Sequence, residues 1–189
     1  NTSTPYDGDL SIFEDADRDK KLQIDRVIDI LKISGDRAVA DIGAGSGWFT
    51  VRAARRTTGK VFAVEINQTY IDHIRNRAAT EKLPNILTVL GKFDDPSLPK
   101  ESVDAVLILK TYHEIEKPIT FMKNLKAALR NGALVGIIDK NGVGDDHGLD
   151  RDKVVDELAR AGFVLKEEYD FVKGDRMDYF LVFEVGKSK

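Results

Sequence analysis

Residues 38–49 read AVADIGAGSGWF, and this stretch decides how the rest of the chain is interpreted. Its apolar start, Ala38–Ala40, is typical of a short buried strand, and an acid, Asp41, follows. Three glycines then stand at alternate positions, Gly43, Gly45 and Gly47. Glycines allow a tight turn and a close approach to the backbone, and the helix that follows has free N–H groups at its start. The stretch therefore predicts a ligand-binding turn between a strand and a helix.

Two other glycine-rich turns fit this stretch less well. A phosphate-binding loop, G-x-x-x-x-G-K-[ST], needs Lys and then Ser or Thr after its last glycine, where this chain has Trp48 and Phe49, so it is excluded. A dinucleotide-binding turn, G-x-G-x-x-G, needs its third glycine at the position of Trp48. An NAD-binding oxidoreductase therefore stays as an alternative, and so does a tight turn that holds no ligand.

A second acid supports the ligand-binding interpretation. The next apolar segment, KVFAVEIN at residues 60–67, predicts a strand that ends at Glu65, 22 residues after Gly43. In strand–turn–helix–strand units, a carboxylate at this interval accepts hydrogen bonds from ribose hydroxyls. The turn and Glu65 together therefore predict an adenosine-containing ligand, of which NAD is one.

Helical and extended patterns alternate along the chain and predict an α/β fold with one main domain, residues 18–189, after an N-terminal arm, residues 1–17, that is able to cover a site. Helices are expected from Arg18 to near Gly35, after the glycine turn to about Thr58, and over Gln68–Lys82, Pro118–Arg130 and Asp150–Ala161. Further strands are expected at Ile86–Leu90, Val103–Leu109, Ala133–Asp139, Phe163–Tyr169 and Tyr179–Val185. The last two strands are close enough to form a hairpin.

Three stretches together resemble the class I S-adenosylmethionine-dependent methyltransferases, most closely their small-molecule branch: AVADIGAGSG at 38–47, VFAVEIN at 61–67 and DAVLILKTYHEI at 104–115. The resemblance implies a three-layer Rossmann-like sheet of about seven strands, mostly parallel, with an antiparallel strand in the C-terminal hairpin. It also implies S-adenosyl-L-methionine as the cofactor. The acceptor would be a small or medium molecule, methylated on O, N or C. A cofactor-binding module without catalysis is a further alternative.

The same resemblance implies which residues bind the cofactor. The glycine turn would pass under its amino acid part, and the loop after the third strand would surround the adenine. In that loop Lys92 and Phe93 would supply backbone and packing, and Asp94 or Asp95 would accept from the exocyclic amine. The expected cofactor-binding residues are Asp41, Gly43, Ala44, Gly45, Gly47, Glu65, Ile66, Lys92, Phe93, Asp94 and Lys110.

The segment after the fourth strand, KTYHEI, should lie where the transferred group is presented, because ligands of open α/β sheets bind outside the carboxyl ends of the strands. Its His113 is the candidate general base, oriented by Glu114 or by a later acid; the alternative is a histidine that packs over the cofactor or caps a turn. Tyr112 and Trp48 are expected to be pocket walls. No [DN]-P-P-[YF] signature is present, which argues against methylation of DNA adenine.

A metal site is not expected. The residues Asp139, Asp145, Asp146 and His147 share one predicted rim, and oxygen ligands at this level of the sheet hold a divalent cation in some O-methyltransferases. Their spacing matches no metal-ligand motif. A solvated acidic loop is the interpretation adopted; such a loop could also attract a cationic substrate.

Charge and composition limit the classes of partner and of chemistry that the chain can use. The formal net charge of −3 gives no general attraction to nucleic acid or to an anionic membrane. The chain has no cysteine, which excludes disulfides and thiolate chemistry. It has no apolar run of membrane-spanning length and no signal-like segment, so a cytoplasmic location is expected, with a removed leader as the alternative. The expected assembly is a monomer or a homodimer.

Overall fold

The computed structural model describes residues 2–186 of the 189-residue chain. One seven-stranded sheet has the order β3-β2-β1-β4-β5-β7-β6, with β7 antiparallel to both of its neighbours and the other pairs parallel. The strands are β1 Val39–Ile42, β2 Val61–Glu65, β3 Ile86–Leu90, β4 Val103–Leu109, β5 Leu129–Asp139, β6 Phe163–Tyr169 and β7 Tyr179–Val185. The predicted fold class, with its antiparallel C-terminal hairpin, is confirmed.

Helices cover both faces of the sheet and give three layers. They are α1 Arg18–Leu22, α2 Ile24–Ile30, α3 Trp48–Arg56, α4 Gln68–Thr80, α5 Pro118–Ala128 and α6 Arg151–Ala161. Apolar side chains of α1 to α4 form one buried cluster with the sheet, and those of α5 and α6 form a second cluster on the opposite face. The central strands β1 and β4 are therefore buried from both sides, as their nearly continuous apolar sequences predict.

The predicted single helix from Arg18 to near Gly35 is wrong, because the chain breaks at Gln23. This residue has φ 52 and ψ 51, in the left-handed region. Residues two apart on a continuous helix point to different faces, yet both Leu22 and Ile24 are buried in the core. The break makes this possible, and the Gln23 side-chain amide donates a hydrogen bond to the Phe171 carbonyl at 3.2 Å.

The predicted boundary between α5 and β5 is also wrong. The helix ends at Ala128 instead of Arg130, and β5 starts at Leu129 instead of Ala133. Val103 pairs with Leu129 whereas Ala105 pairs with Leu134, so β5 holds extra residues opposite β4. Asn131 and Gly132 lie in this irregularity, where Gly132 has φ 75. Pairing with β4 on both sides of the irregularity keeps the segment in the sheet.

The order of the strands fixes where a ligand can bind. From β1 the chain moves outward to β2 and β3 on one side, and then to β4 and β5 on the other. The loops after β1 and β4 therefore leave the sheet in different directions, and the crevice between them is the ligand site of open α/β sheets. Within residues 2–186, none of the helices combines the length and the apolar character that a membrane crossing needs.

Candidate active site

A cavity of about 430 Å³ opens at the carboxyl ends of β1, β2 and β4. One part of its wall, here called the glycine end, consists of residues 43–46 and Glu65. Another part, here called the histidine end, consists of His113, Glu114 and His147. The cavity therefore joins the turn that the sequence singles out to the segment that follows β4.

The glycine turn needs its glycines for different reasons. Gly43, Gly45 and Gly47 have φ values of 70, 55 and 77, which L side chains rarely adopt. A Cβ on Gly43 would overlap the side chain of Thr111, so the loops after β1 and β4 touch here. Gly47 is the N-cap of α3 and faces Ile74 instead of lining the cavity. Gly43 and Gly45 thus shape the cavity wall, whereas Gly47 allows the start of α3 to pack against Ile74 of α4.

Glu65 is held firmly against the turn. Its Oε2 accepts a hydrogen bond from the Gly45 N–H at 3.0 Å, and its Oε1 accepts from the N–H groups of Ile66 at 2.7 Å and Asn67 at 3.2 Å. The residue is only 8% exposed and lines the cavity. A carboxylate has about four acceptor positions, so capacity is left for a ligand hydroxyl.

Asp41 lies beneath the turn and also lines the cavity. The Thr50 hydroxyl donates a hydrogen bond to its Oδ2 at 2.6 Å. Burial raises the pKa of Asp41 to about 7, and the nearby charge of Glu65 acts in the same direction. The hydrogen bond from Thr50 links Asp41 on strand β1 to helix α3, and the Asp41 side chain is buried.

The loop after β3 contributes Gly91, Lys92 and Phe93 to the cavity, and Phe93 is 61% exposed. Ile66 and Lys110, from the loops after β2 and β4, line it as well. Neither acid of this loop does so. The carbonyl oxygen of Asp94 accepts from the Asn124 side chain at 2.8 Å, and the Asp95 carboxylate accepts from the Ser97 N–H at 2.7 Å.

His113 is fixed by a buried acid from the next strand. Its Nδ1 lies 2.8 Å from the Asp139 carboxylate, and the two side chains are 1% and 0% exposed. An ionised carboxylate only accepts hydrogen bonds, so this contact places the proton on Nδ1 and leaves the lone pair of Nε2 available. The orienting acid was expected to be Glu114 or an unspecified later acid; Asp139, a later acid, contacts Nδ1, whereas Glu114 lies 3.9 Å from Nε2.

The histidine end contains two further side chains: Glu114, from the segment expected where the transferred group is presented, and His147, from the rim considered as a metal site. Glu114 and His147 line the cavity beside His113, and burial raises the pKa of Glu114 to about 7. The His113 and His147 rings stand edge to face, with centroids 5.9 Å apart. The expected acidic rim does not form as one group, because Asp139 contacts His113 and the Asp146 carboxylate accepts from the Val143 N–H.

The N-terminal arm covers the cavity. Pro5, Tyr6, Ile12 and Phe13 line it, the Tyr70 hydroxyl donates to the Gly8 carbonyl at 2.8 Å, and the Ser46 hydroxyl donates to the Glu14 carboxylate at 2.6 Å. These contacts hold residues of the arm over the crevice on the side of α4. The sequence indicated an arm able to cover a site, but it named none of these partners.

Arg18 is a cavity residue that sequence reasoning missed. It is 8% exposed, its guanidinium carbon lies 4.5 Å from the centre of the Trp48 ring, and its Nε lies 3.3 Å from the Asp175 carboxylate. Trp48 lines the cavity as expected, but Tyr112 does not: its hydroxyl donates to Glu157 at 3.0 Å on the opposite face. Arg18 gave no sequence signal because it belongs to the helical pattern before β1.

Known proteins share this architecture. Residues 39–132 match the model of the methyltransferase domain family. An uncharacterized methyltransferase of Mycobacterium tuberculosis is 32% identical over 111 residues, which cover 59% of this chain and 43% of that protein. The chain thus spans less than half the length of this relative.

Solved structures agree in fold at low sequence identity. A SAM-dependent methyltransferase from Aquifex aeolicus superposes with a TM-score of 0.83 at 19% identity, covering 95% of this chain and all 100% of that one. The [4+2]-cyclase SpnF superposes with a TM-score of 0.75 at 16% identity, covering 89% of this chain and 81% of that one.

The fold and the crevice define a Rossmann-like α/β protein with a cavity at the tips of β1, β2 and β4. Residues 39–132 belong to the methyltransferase domain family, and the fold of the chain is that of the class I S-adenosylmethionine-dependent methyltransferases. The resemblance carried by the glycine turn, the Glu65 strand and the β4 segment is confirmed. The cyclase neighbour is a reminder that this fold alone does not fix the reaction.

Proposed function

We propose that the chain binds S-adenosyl-L-methionine at the glycine end and transfers its methyl group to a small or medium acceptor held at the histidine end. One observation carries the proposal. The carboxylate of Glu65 accepts a hydrogen bond from Gly45, so the acid and the glycine turn form one preorganised cradle at the cavity wall. A turn without a ligand would not need a buried carboxylate placed against it.

The residues at this end suit the parts of the cofactor. Glu65 would accept from ribose hydroxyls, and the apolar side chains of Ile66 and Phe93 would pack on the adenine. The backbone at Gly43 and Gly45 admits close approach of the amino acid part, and the guanidinium of Arg18 in the same wall would attract its carboxylate. Lys92 and Lys110 complete the proposed binding residues. Asp94, Asp95 and Gly47 are not needed in this arrangement, since they do not line the cavity.

Methyl transfer depends mainly on aligning the acceptor atom with the methyl group. When bound, the cofactor supplies an electrophilic methyl group on a sulfonium. The chain has to hold the acceptor in line with it and exclude water, and alignment of this kind is worth about 7–11 kcal/mol. The covering arm and the enclosed His113 suit both tasks. The Nε2 of His113 would accept the proton that the nucleophile loses, with Asp139 stabilising the resulting imidazolium.

The size and cover of the cavity favour a small acceptor. Its volume of about 430 Å³ lies in the ordinary range of small-molecule sites, and residues 5–13 close it from one side. A nucleic acid or a protein surface would have to displace the arm before reaching His113. We therefore keep residues 1–17 as a covering arm on a domain formed by residues 18–189.

Calorimetric titration tests cofactor binding. The full chain should bind S-adenosylmethionine and S-adenosylhomocysteine, and Glu65→Gln should weaken binding by about 1.5–3 kcal/mol, roughly 10- to 150-fold, because a charge-assisted contact is lost. Gln keeps an oxygen for the backbone N–H groups, so the turn should survive. The matched control is Glu116→Gln, an exposed acid that does not line the cavity.

Two outcomes would contradict the proposal. Tight binding of NAD without a response to S-adenosylmethionine would favour an oxidoreductase, although the buried Trp48 at the third glycine position argues against it. Proven cofactor binding without release of S-adenosylhomocysteine across a broad acceptor library would favour a binding module. Release with a hydroxyl, amine or carbon acceptor would identify the methylated atom.

A further inference from the structure

Three side chains with metal-binding atoms meet at the histidine end. One ligand atom from each of His113, Glu114 and His147 can be chosen so that all three lie within 4.8 Å of one another. The Nε2 of His113 and the Oε1 of Glu114 are 3.9 Å apart. All three side chains line the cavity, so the group is accessible to a ligand. Two imidazoles and one carboxylate form a known donor set for divalent transition metals.

The surroundings of His113 prepare it as a ligand. Asp139 engages Nδ1 at 2.8 Å, and the N–H of Lys140 donates to the same carboxylate at 3.0 Å. Metal-bound histidines usually donate their other ring N–H to a carboxylate in this way, which fixes the ring and makes the ligating nitrogen more basic. With Nδ1 engaged, Nε2 is the nitrogen that is left for a metal.

Ser3 ties together the two segments that carry the histidines. Its N–H donates to the carbonyl of His113 at 3.2 Å, its hydroxyl accepts from the N–H of His147 at 3.0 Å, and the same hydroxyl contacts the Gly144 carbonyl. The residue is buried. The arm therefore holds the His147 loop beside His113, although the two histidines lie on loops after different strands.

We propose that His113, Glu114 and His147 bind one divalent transition-metal ion at the histidine end. The nitrogen ligands favour Zn²⁺, Fe²⁺, Co²⁺ or Ni²⁺ over Mg²⁺ or Ca²⁺, which prefer oxygen. Four ligands about 2.1 Å from a metal lie about 3.4 Å apart, so atoms now within 4.8 Å of one another must close by up to about 1.4 Å. The exposed side chain of His147 can make that adjustment by rotation.

Three protein ligands leave coordination positions that face the cavity, where an oxygen of the acceptor could bind. This role rests on the proposed function, whereas metal binding itself does not. Ligation uses the same Nε2 lone pair that would otherwise accept a proton, so His113 would hold the metal instead of acting as a base. The site differs from the acidic rim considered from the sequence, with which it shares only His147.

Metal titration of the full chain tests the site. Protein without a polyhistidine tag is stripped with a chelator and titrated with Zn²⁺ by calorimetry, and with Co²⁺ by visible absorption. One equivalent should bind, and His147→Ala should weaken Zn²⁺ binding at least about tenfold, because one of three ligands is lost. His147 is exposed, so this variant should fold, which circular dichroism checks.

The third histidine of the chain provides the control. His73 is exposed on α4, outside the cavity, and His73→Ala should bind Zn²⁺ like wild type. Failure of the wild type to bind either metal, or unchanged affinity in His147→Ala, would overturn the site. S-adenosylmethionine binding measured on the same samples keeps the two proposals apart. Zn²⁺ binding without cofactor binding overturns only the proposed function, and the reverse result overturns only the metal site.

Discussion

The glycine end and the histidine end of the cavity are assembled from parts of the chain at very different separations. At the glycine end, Glu65 bonds to the N–H of Gly45, 20 residues earlier, within one strand–turn–helix–strand unit. At the histidine end, Asp139 reaches His113 across 26 residues, and Ser3 reaches the N–H of His147 across 144. The first end is a local unit, whereas the second exists only when the arm and the sheet are both in place.

The two ends also differ in how rigidly they are held. The glycine end is built from backbone groups and strand tips, which the sheet holds rigidly. The histidine end depends on side chains and on an arm that is attached largely by hydrogen bonds such as the one from Tyr70 to the Gly8 carbonyl. Net contributions of single hydrogen bonds are about 0.5–1.5 kcal/mol, so changes there should be smaller than changes to the glycine turn.

The largest effect is expected from Gly43→Ala. A Cβ at this position would overlap the side chain of Thr111, and φ of 70 adds backbone strain. Relief of the overlap must push the loops after β1 and β4 apart. Calorimetry should show a loss of S-adenosylmethionine affinity of about 100-fold or more, corresponding to roughly 3 kcal/mol.

Gly132→Ala separates the effect of steric overlap from the effect of backbone strain. Gly132 has a similar φ of 75, but nothing lies within 4 Å of the Cβ position. Thermal unfolding should show the backbone cost of about 1–2 kcal/mol, while cofactor affinity stays at the wild-type value. Equal losses of affinity in the two variants would mean that the glycine end is not the rigid unit described above.

The pH dependence of stability tests Asp41, the buried acid beneath the glycine turn. Folding raises the pKa of Asp41 from 3.8 to about 7, so the folded state favours the neutral carboxyl. Its contribution to stability is complete below about pH 4 and is lost as pH rises through about 7. Asp41→Asn removes this loss and keeps an oxygen that can accept from Thr50.

The stability of Asp41→Asn relative to wild type should therefore rise by about 2–3 kcal/mol between about pH 5 and pH 8, at about 1.4 kcal/mol per pKa unit. Denaturant unfolding at both pH values measures it. Asp36→Asn, on an exposed turn, should show no such change. A difference between variant and wild type that is the same at both pH values would contradict the burial of Asp41.

The smallest effect is expected from Ser3→Ala. This variant removes the hydroxyl that accepts from His147 and contacts the Gly144 carbonyl. Zn²⁺ affinity should fall about three- to tenfold, because the hydroxyl contacts that hold the His147 loop are lost, while S-adenosylmethionine affinity is unchanged.

Ser102→Ala provides the comparison for Ser3→Ala, because its hydroxyl donates to the Pro99 carbonyl at 2.7 Å away from the cavity. It should change neither affinity. A loss of cofactor affinity in Ser3→Ala would show that the two ends of the cavity are coupled. The glycine end would then not be a local unit that is independent of the arm.

The sequence predicted the local part of the molecule well. Strand β4 was expected over Val103–Leu109 and has those bounds, because a nearly continuous apolar run fits a strand buried on both faces. The glycine turn and Glu65 line the same cavity because their spacing belongs to a single repeating unit of the fold. Periodicity and short motifs contain this information directly.

The sequence could not predict contacts between distant segments. The break at Gln23 interrupts a helical pattern that continues through it, and only the burial of both Leu22 and Ile24 explains it. The sequence left the partner of His113 open between Glu114 and an unspecified later acid, and only the pairing of β4 with β5 places Asp139 beside it. Arg18, likewise, reaches the cavity only through the fold of the arm and the first two helices.

The antiparallel course of β7 has a practical consequence for anyone who produces this protein. Val185 pairs with the first residue of β6, and Glu184 with Leu134, so the strand finishes at the edge of the sheet opposite the cavity. Ser3, in contrast, touches both histidine-bearing loops. An affinity handle is therefore better fused at the C-terminal end than at the arm, where it would disturb the contacts of Ser3, and a polyhistidine handle must still be removed before any metal titration.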